Sequence, residues 1–250
     1  MNQSVFVSTA IPYVNAPPHL GFALEVVLAD VIARHHRKRS SVRFVSGTDD
    51  HSLKNVRAAE RAGVSTRAFV DAAAERYIAL ERVVGASYDD FVRTSADPRH
   101  AAAVCASWEA CARNGDLEKR VYRGLYCAGC EQFFEPGEIE VCPEHGTPPE
   151  PIEEENWFFA LSKYEDRIRE ALEGGALRIH PRHRAHEVLR FLDTGLRDVS
   201  VSRPSARARG WGIPVPGDPA QTIYVWFDAL ASYVASPREW QAATERIHVL

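Results

Sequence analysis

A chain of 250 residues, 45% hydrophobic and 26% charged, holds enough apolar material for one large α/β domain or one domain carrying an insertion. Its net charge of −4 excludes a protein that coats nucleic acid non-specifically, since such binding sums many phosphate neutralisations, but leaves room for a local basic face. The N-terminus lacks a basic stretch followed by an apolar one, and no apolar run approaches the roughly 18 residues of a membrane span, so neither a secretory signal nor a membrane partner is expected.

Val5, Phe6 and Val7 open a buried strand over residues 4–9. The chain then breaks at prolines and enters a helix through His19, Leu20, Gly21 and Phe22. Such a turn suits a phosphate: the helix start offers unpaired N–H groups and partial positive charge, an imidazole can donate to a phosphoryl oxygen, and a glycine lets a flat base approach. It reads equally as a plain strand–helix connection. Leu20, Leu24, Val27, Leu28, Val31 and Ile32 recur at the spacing of one face of a helix reaching about Arg37, and the basic run Arg34–Arg39 reads as its solvated last turn. Val42–Val45 is a second strand, running into Ser46-Gly47-Thr48-Asp49-Asp50-His51. A helix over Lys54–Ala62 ends at Gly63, and Ser65 or Thr66 caps a longer one through about Val84. Strand–helix–strand–helix order predicts an α/β fold with a Rossmann-like, doubly wound parallel sheet.

Another helix is predicted over residues 94–114, after which 122–151 turns rich in Gly, Pro, Cys and Glu and loses periodicity. Helices over Ser162–Glu173 and His186–Leu192 follow, then an apolar, aromatic run over Gln221–Tyr233. Arg246–Leu250 reads as the start of a strand, so the chain is expected to stop within an element, as a fragment or truncated protein does. The expected organisation is a nucleotide-fold segment over 1–115, an insertion over 116–205 centred on 122–150, and a return to the first fold over 206–250.

The five cysteines are odd in number, and the last three stand at metal-ligand spacing, which reads as reduced thiols in a cytoplasmic protein. Cys127 and Cys130, then Cys142 and His145, form a C-x2-C and C-x2-H pair separated by eleven residues. Three thiolates and an imidazole suit tetrahedral Zn²⁺, and a closed set of four is structural. Without metal the same segment reads as a packed hairpin. Asp49 and Asp50 follow a strand, where a carboxylate holds an ammonium or a ribose hydroxyl, or else caps a helix. Tyr224–Tyr233 is either core or the lining of a slot for an apolar side chain.

Together these residues resemble the N-terminal catalytic half of the methionyl-tRNA synthetases, class I enzymes. His19-Leu20-Gly21-Phe22 after Ala10–Asn15 resembles the family's His-x-Gly-His signature, and Gly47–His51 its Gly-Thr-Asp-Glu-His element. Cys127, Cys130, Cys142 and His145 match the zinc knuckle of its connective insertion, while Ser200–Pro204, Gly210–Pro214 and Tyr224–Tyr233 match the return into the nucleotide fold. The resemblance implies structural Zn²⁺ and, as substrates, methionine and ATP with Mg²⁺. It puts His19 on the ATP phosphates and Gly21 beside the adenine, as the catalytic pair, with Tyr13, Asn15 and Phe22 completing the ATP site. It puts Asp49 on the amino acid's ammonium group, and Ala10, Ile11, Tyr13, Trp226, Ala229, Leu230 and Tyr233 around methionine.

The implied reaction is in-line attack of the substrate carboxylate on the α-phosphorus of ATP, followed by transfer to tRNA in protein biosynthesis. Phe22 departs from the family's second His and removes one phosphate-directed donor. The lysine-rich signature loop, the second half of the fold and the anticodon-binding helices are not in these 250 residues, so little activity is expected of them alone. Two other functions fit the same resemblance: a related ligase of specialised metabolism passing the activated amino acid to a small hydroxylamine-type acceptor, and a zinc-bearing remnant without catalysis.

Overall fold

The structure is a computed structural model, and it describes residues 4–127, 132–134, 137–234 and 243–250. The elements run β1 (Ser4–Thr9), α1 (Leu20–Arg37), β2 (Ser41–Thr48), α2 (Leu53–Ala62), α3 (Thr66–Val83), β3 (Asp90–Arg93) and α4 (Pro98–Arg113). They continue with β4 (Leu117–Cys127), β5 (Gln132–Phe134), β6 (Glu150–Phe159), a 3-10 turn at Leu161–Tyr164, α5 (Glu165–Glu173) and α6 (Arg182–Leu192). Then come β7 (Val199–Ser200), β8 (Ser202–Pro204), β9 (Pro214–Val215), β10 (Asp218–Ile223), α7 (Val225–Leu230), a 3-10 turn at Ala231–Tyr233 and β11 (Glu245–Val249). They fall into two compact units, Met1–Trp108 with Pro204–Leu250, and Glu109–Arg203.

The first unit is built on a parallel sheet in the order β11-β1-β2-β3, with Val7 beside Phe44 on one side and Ile247 on the other. Both faces are covered, which is why β1 reads as an apolar run instead of an alternation. Val5, Val7 and Phe44 pack with Ala29 and Ala33 of α1, while Phe6, Val45 and Val92 lie together in a separate cluster. Each fully buried large side chain contributes about 1.5–3 kcal/mol relative to exposure. A third cluster joins Val14, Phe22 and Val26 to Val70, Ala73 and Tyr77 of α3.

The periodicity of α1 had two solutions, and the fold took the other one. Leu20, Leu24, Val27, Leu28 and Val31 are exposed, and the helix buries Phe22, Val26, Ala29 and Ala33. A helix apolar on two sides gives no directional signal of its own; what it packs on chooses the face. The caps are as expected: Ser65 Oγ accepts from Ala68 N–H, and Gly63 takes the left-handed conformation at φ 68°.

The second unit departs from the aperiodic loop expected over 122–151. Here β4 and β6 form a long antiparallel ribbon, from Leu117 opposite Phe159 to Tyr126 opposite Glu150, flanked by β5 and β7. Its outward positions carry charge, so the alternation is of charged with half-buried residues and shows little in hydropathy. Tyr122 folds over Gly124, whose missing β-carbon admits the phenol, and its hydroxyl donates to the Phe134 carbonyl.

Candidate active site

β2 and β3 lie on one side of β1 and β11 on the other, so the order reverses at β1. Open parallel sheets take ligands beyond the carboxyl ends of the strands at such a reversal. The chain leaving β1 is held there by Ala10, whose N–H donates to the carbonyl of Val249 in β11 and to Glu25 Oε1 of α1. Burial raises the Glu25 carboxyl, and the bond from Ala10 partly offsets it.

His19 is the N-cap of α1, and its Nδ1 accepts from Phe22 N–H at 3.3 Å. That bond puts the ring proton on Nε2, leaving an exposed imidazole with a donor to offer. Gly21 has a local cause as well: a β-carbon there would lie 2.9 Å from Cε1 of the His19 ring. The Phe22 ring, placed in the ATP set by resemblance, is buried edge-on to Tyr77 with centroids 5.2 Å apart. Asn15 is exposed on the turn before α1.

The two carboxylates after β2 separate in role. Asp50 is fully buried, with Oδ2 accepting from Arg93 at 3.1 Å and Ser95 at 2.6 Å, and its backbone N–H donating to Thr94. It is tied into the fold. Asp49 pairs with Tyr13 in a parallel bridge, its N–H donating to the Pro12 carbonyl, and its Oδ1 accepts from His51 N–H. Asn55 of α2 donates to the carbonyls of both aspartates, and Trp211 donates to that of Asp50, so the loop is pinned from two sides. Gly47 permits the approach of β3: a β-carbon there would come within 2.3 Å of the Val92 carbonyl oxygen and 3.1 Å of Ile11.

Tyr13 links Asp49 and Trp226: its backbone bridges that of Asp49, and its hydroxyl accepts from Trp226 Nε1 at 3.0 Å. Tyr233 reaches the Ile11 backbone, and burial drives its phenol up to about 12, so it stays protonated. Ala229 is half-buried, while Leu230 is turned outward at 63% exposure. Trp226 itself is 49% exposed, an indole available to a ligand instead of sealed in packing.

Sequence reasoning passed over Asp228. On α7 it stands two residues from Trp226, on the opposite side of the helix, and it is fully buried. Its Oδ2 meets His51 Nδ1 at 2.6 Å and its Oδ1 meets His100 Nε2 at 2.5 Å. Burial would raise this carboxyl, but the hydrogen bonds from His100 and His51 hold it below the ordinary carboxylate range. The one available signal was a carboxylate inside an otherwise apolar, aromatic run.

In the second unit Cys127 and Cys142 are buried and His145 is exposed, with Nδ1 3.9 Å from Cys127 Sγ and 3.7 Å from Cys142 Sγ. Tetrahedral zinc with bonds of about 2.0–2.3 Å sets its ligand atoms about 3.5–3.8 Å apart; the Cys142 distance lies in that range, the Cys127 distance just above it, and all three donor atoms lie within 4.8 Å of one another. Cys130 and Gly129 lie outside the described residues.

The family model described as tRNA synthetases class I (M) matches residues 5–148 and 145–248. A methionine–tRNA ligase of Brucella suis is 37% identical over 94% of this chain and 46% of its own length. A human mitochondrial methionine–tRNA ligase is 39% identical over 97% of this chain and 44% of its own. Among solved structures, Mycobacterium tuberculosis methionyl-tRNA synthetase in complex with methionyl-adenylate superimposes with a TM-score of 0.89 at 35% identity, covering 98% of this chain and 51% of that one. The chain thus spans about half the length of the relatives it matches.

Proposed function

The chain belongs to the methionyl branch of the class I tRNA synthetases, and from that premise we propose that it activates methionine with ATP, forming methionyl-adenylate for transfer to tRNA. The observation that carries the proposal is the meeting of Tyr13, Asp49 and Trp226 beside the turn that presents His19. Asp49 holds the ammonium group of the amino acid. Ile11, Tyr13, Trp226, Ala229 and Tyr233 surround its side chain, and an uncharged Tyr233 suits a thioether. His19 donates through Nε2 to the phosphates, stabilising charge as the substrate carboxylate attacks. ATP enters with Mg²⁺. No side chain forms a covalent intermediate.

Cys127, Cys142 and His145 hold a structural Zn²⁺, with Cys130 as the fourth ligand by spacing. It has no part in the chemical step. Among the described residues no helix is long and apolar enough to cross a membrane.

Equilibrium binding across the amino acids tests the proposal. Methionine is expected to bind at least tenfold more tightly than leucine, and His19→Ala to weaken ATP while sparing methionine. Equal binding of methionine, leucine and valine would overturn it.

A further inference from the structure

We propose that Asp228 is the positioning residue of the amino-acid slot: shared between His51 and His100, its carboxylate locks the Trp226 face of α7 onto the Asp49 loop. What the slot binds rests on the function proposed above; the lock itself rests on geometry.

Three elements far apart in the chain converge on one carboxyl group. His51 belongs to the loop after β2, His100 to the first turn of α4, and Asp228 to α7. Asp228 and His100 have no exposed surface, and the His51 side chain has 9%. A carboxylate sunk this far persists only where its oxygens are paired, and each here has one imidazole.

The pairing also sets the protons. The carboxylate only accepts, so His51 carries a proton on Nδ1 and His100 one on Nε2. His100 Nδ1 is buried with no partner, and a second proton there would leave a buried N–H without an acceptor. The geometry thus turns the Nε2–H of His100 onto the carboxylate and leaves its Nδ1 without a partner.

From His51 the constraint passes to the slot. Its ring meets Trp211 edge-on at 5.7 Å, Trp211 donates to the Asp50 carbonyl, and His51 N–H donates to Asp49 Oδ1. On the far side of α7 from Asp228, Trp226 reaches Tyr13. Asp228 thus fixes how far the indole stands from the carboxylate of Asp49, a distance that recognition of an amino acid needs and recognition of a nucleotide does not.

The test is Asp228→Asn in the whole chain. The amide turns an NH₂ group toward one of the two imidazole N–H groups, breaking one arm while keeping the shape. Expected is a methionine Kd raised tenfold or more with the ATP Kd within twofold of wild type. His100→Gln, whose amide nitrogen can stand in for Nε2–H, is expected to keep methionine affinity within threefold, and His100→Leu to lose it. Nitrogen-15 NMR of the wild-type chain near neutral pH should find His51 protonated on Nδ1 and His100 on Nε2. Unchanged methionine binding by Asp228→Asn, or equal loss of methionine and ATP, would overturn the proposal. Should that variant not fold, a His100 with no proton on Nε2 in the wild type overturns it equally. A wild-type chain that binds no methionine yet shows both tautomers sinks the proposed function and leaves the lock standing.

Discussion

In the unit built on β1, β2, β3 and β11, polar chemistry is sunk inside: Asp50, Glu81, His100 and Asp228 have no exposed surface. In the unit built on β4 and β6 it runs along the outside, with Arg123 opposite Glu153 and Lys119 reaching diagonally to Glu155 across the ribbon. Buried charges must be met by partners at bonding distance, so each one dictates the place of its neighbours. Surface pairs of the ribbon kind contribute little, because water and side-chain entropy offset them. The first unit therefore carries its own internal geometry, while the end of the ribbon rests on buried Cys127 and Cys142 with Phe134 packed against them.

The largest effect should come from removing the zinc proposed at Cys127, Cys142 and His145. Chelation, or Cys142→Ser, is expected to open residues 137–150 to proteases, since binding free energy in small zinc sites, on the order of 10 kcal/mol, is folding free energy. Cleavage within 4–108 should not change. Metal analysis of the purified chain with limited proteolysis measures both, and equal loosening of the two units would break the contrast.

Next is Glu81, buried on α3, whose Oε1 accepts from Ser46 and whose Oε2 has no partner. Burial, only partly offset by Ser46, pushes its carboxyl up from 4.5 to about 7. The folded chain thus holds this proton more tightly than the unfolded chain, and the associated stability is complete below about pH 4.5 and lost as pH rises through about 7. At about 1.4 kcal/mol per unit the loss is about 3.5 kcal/mol. Denaturant midpoints against pH should show the slope in wild type and not in Glu81→Gln; an unchanged slope in the variant assigns it elsewhere.

Smallest is Gly21→Ala. The new methyl group would press on the His19 ring and release its bond to Phe22 N–H, costing about 1 kcal/mol as a lost helix cap. The thermal midpoint measures it, and a stability equal to wild type would mean that the ring caps nothing.

Much of the first unit was legible because its signals are local. A run of buried β-formers, Ser65 before a helix and Gly63 after one each act within a few residues. The strand β3 was missed, four residues with one buried side chain, and its Val92 carbonyl sits where only a glycine at position 47 admits it. The ribbon was missed because Glu and Arg on its outer positions mask the alternation. His19, Asp49 and the aromatic run could be singled out from spacing and resemblance, but Asp228 could not, for nothing near it in the chain indicates either histidine.

By itself the sequence determined β1, α1, β2, α2 and α3 in that order, the proline-broken turn into α1, and donor types suited to a metal at Cys127, Cys142 and His145, because backbone preference and side-chain chemistry are properties of residues and their near neighbours. Only the tertiary structure decided which apolar face of α1 is buried, that Asp50 belongs to Arg93 while Asp49 stands beside Tyr13, and that one aspartate unites two histidines more than a hundred residues away. Those outcomes depend on which surfaces meet, and a buried charge takes its meaning from whatever the fold brings within hydrogen-bonding reach.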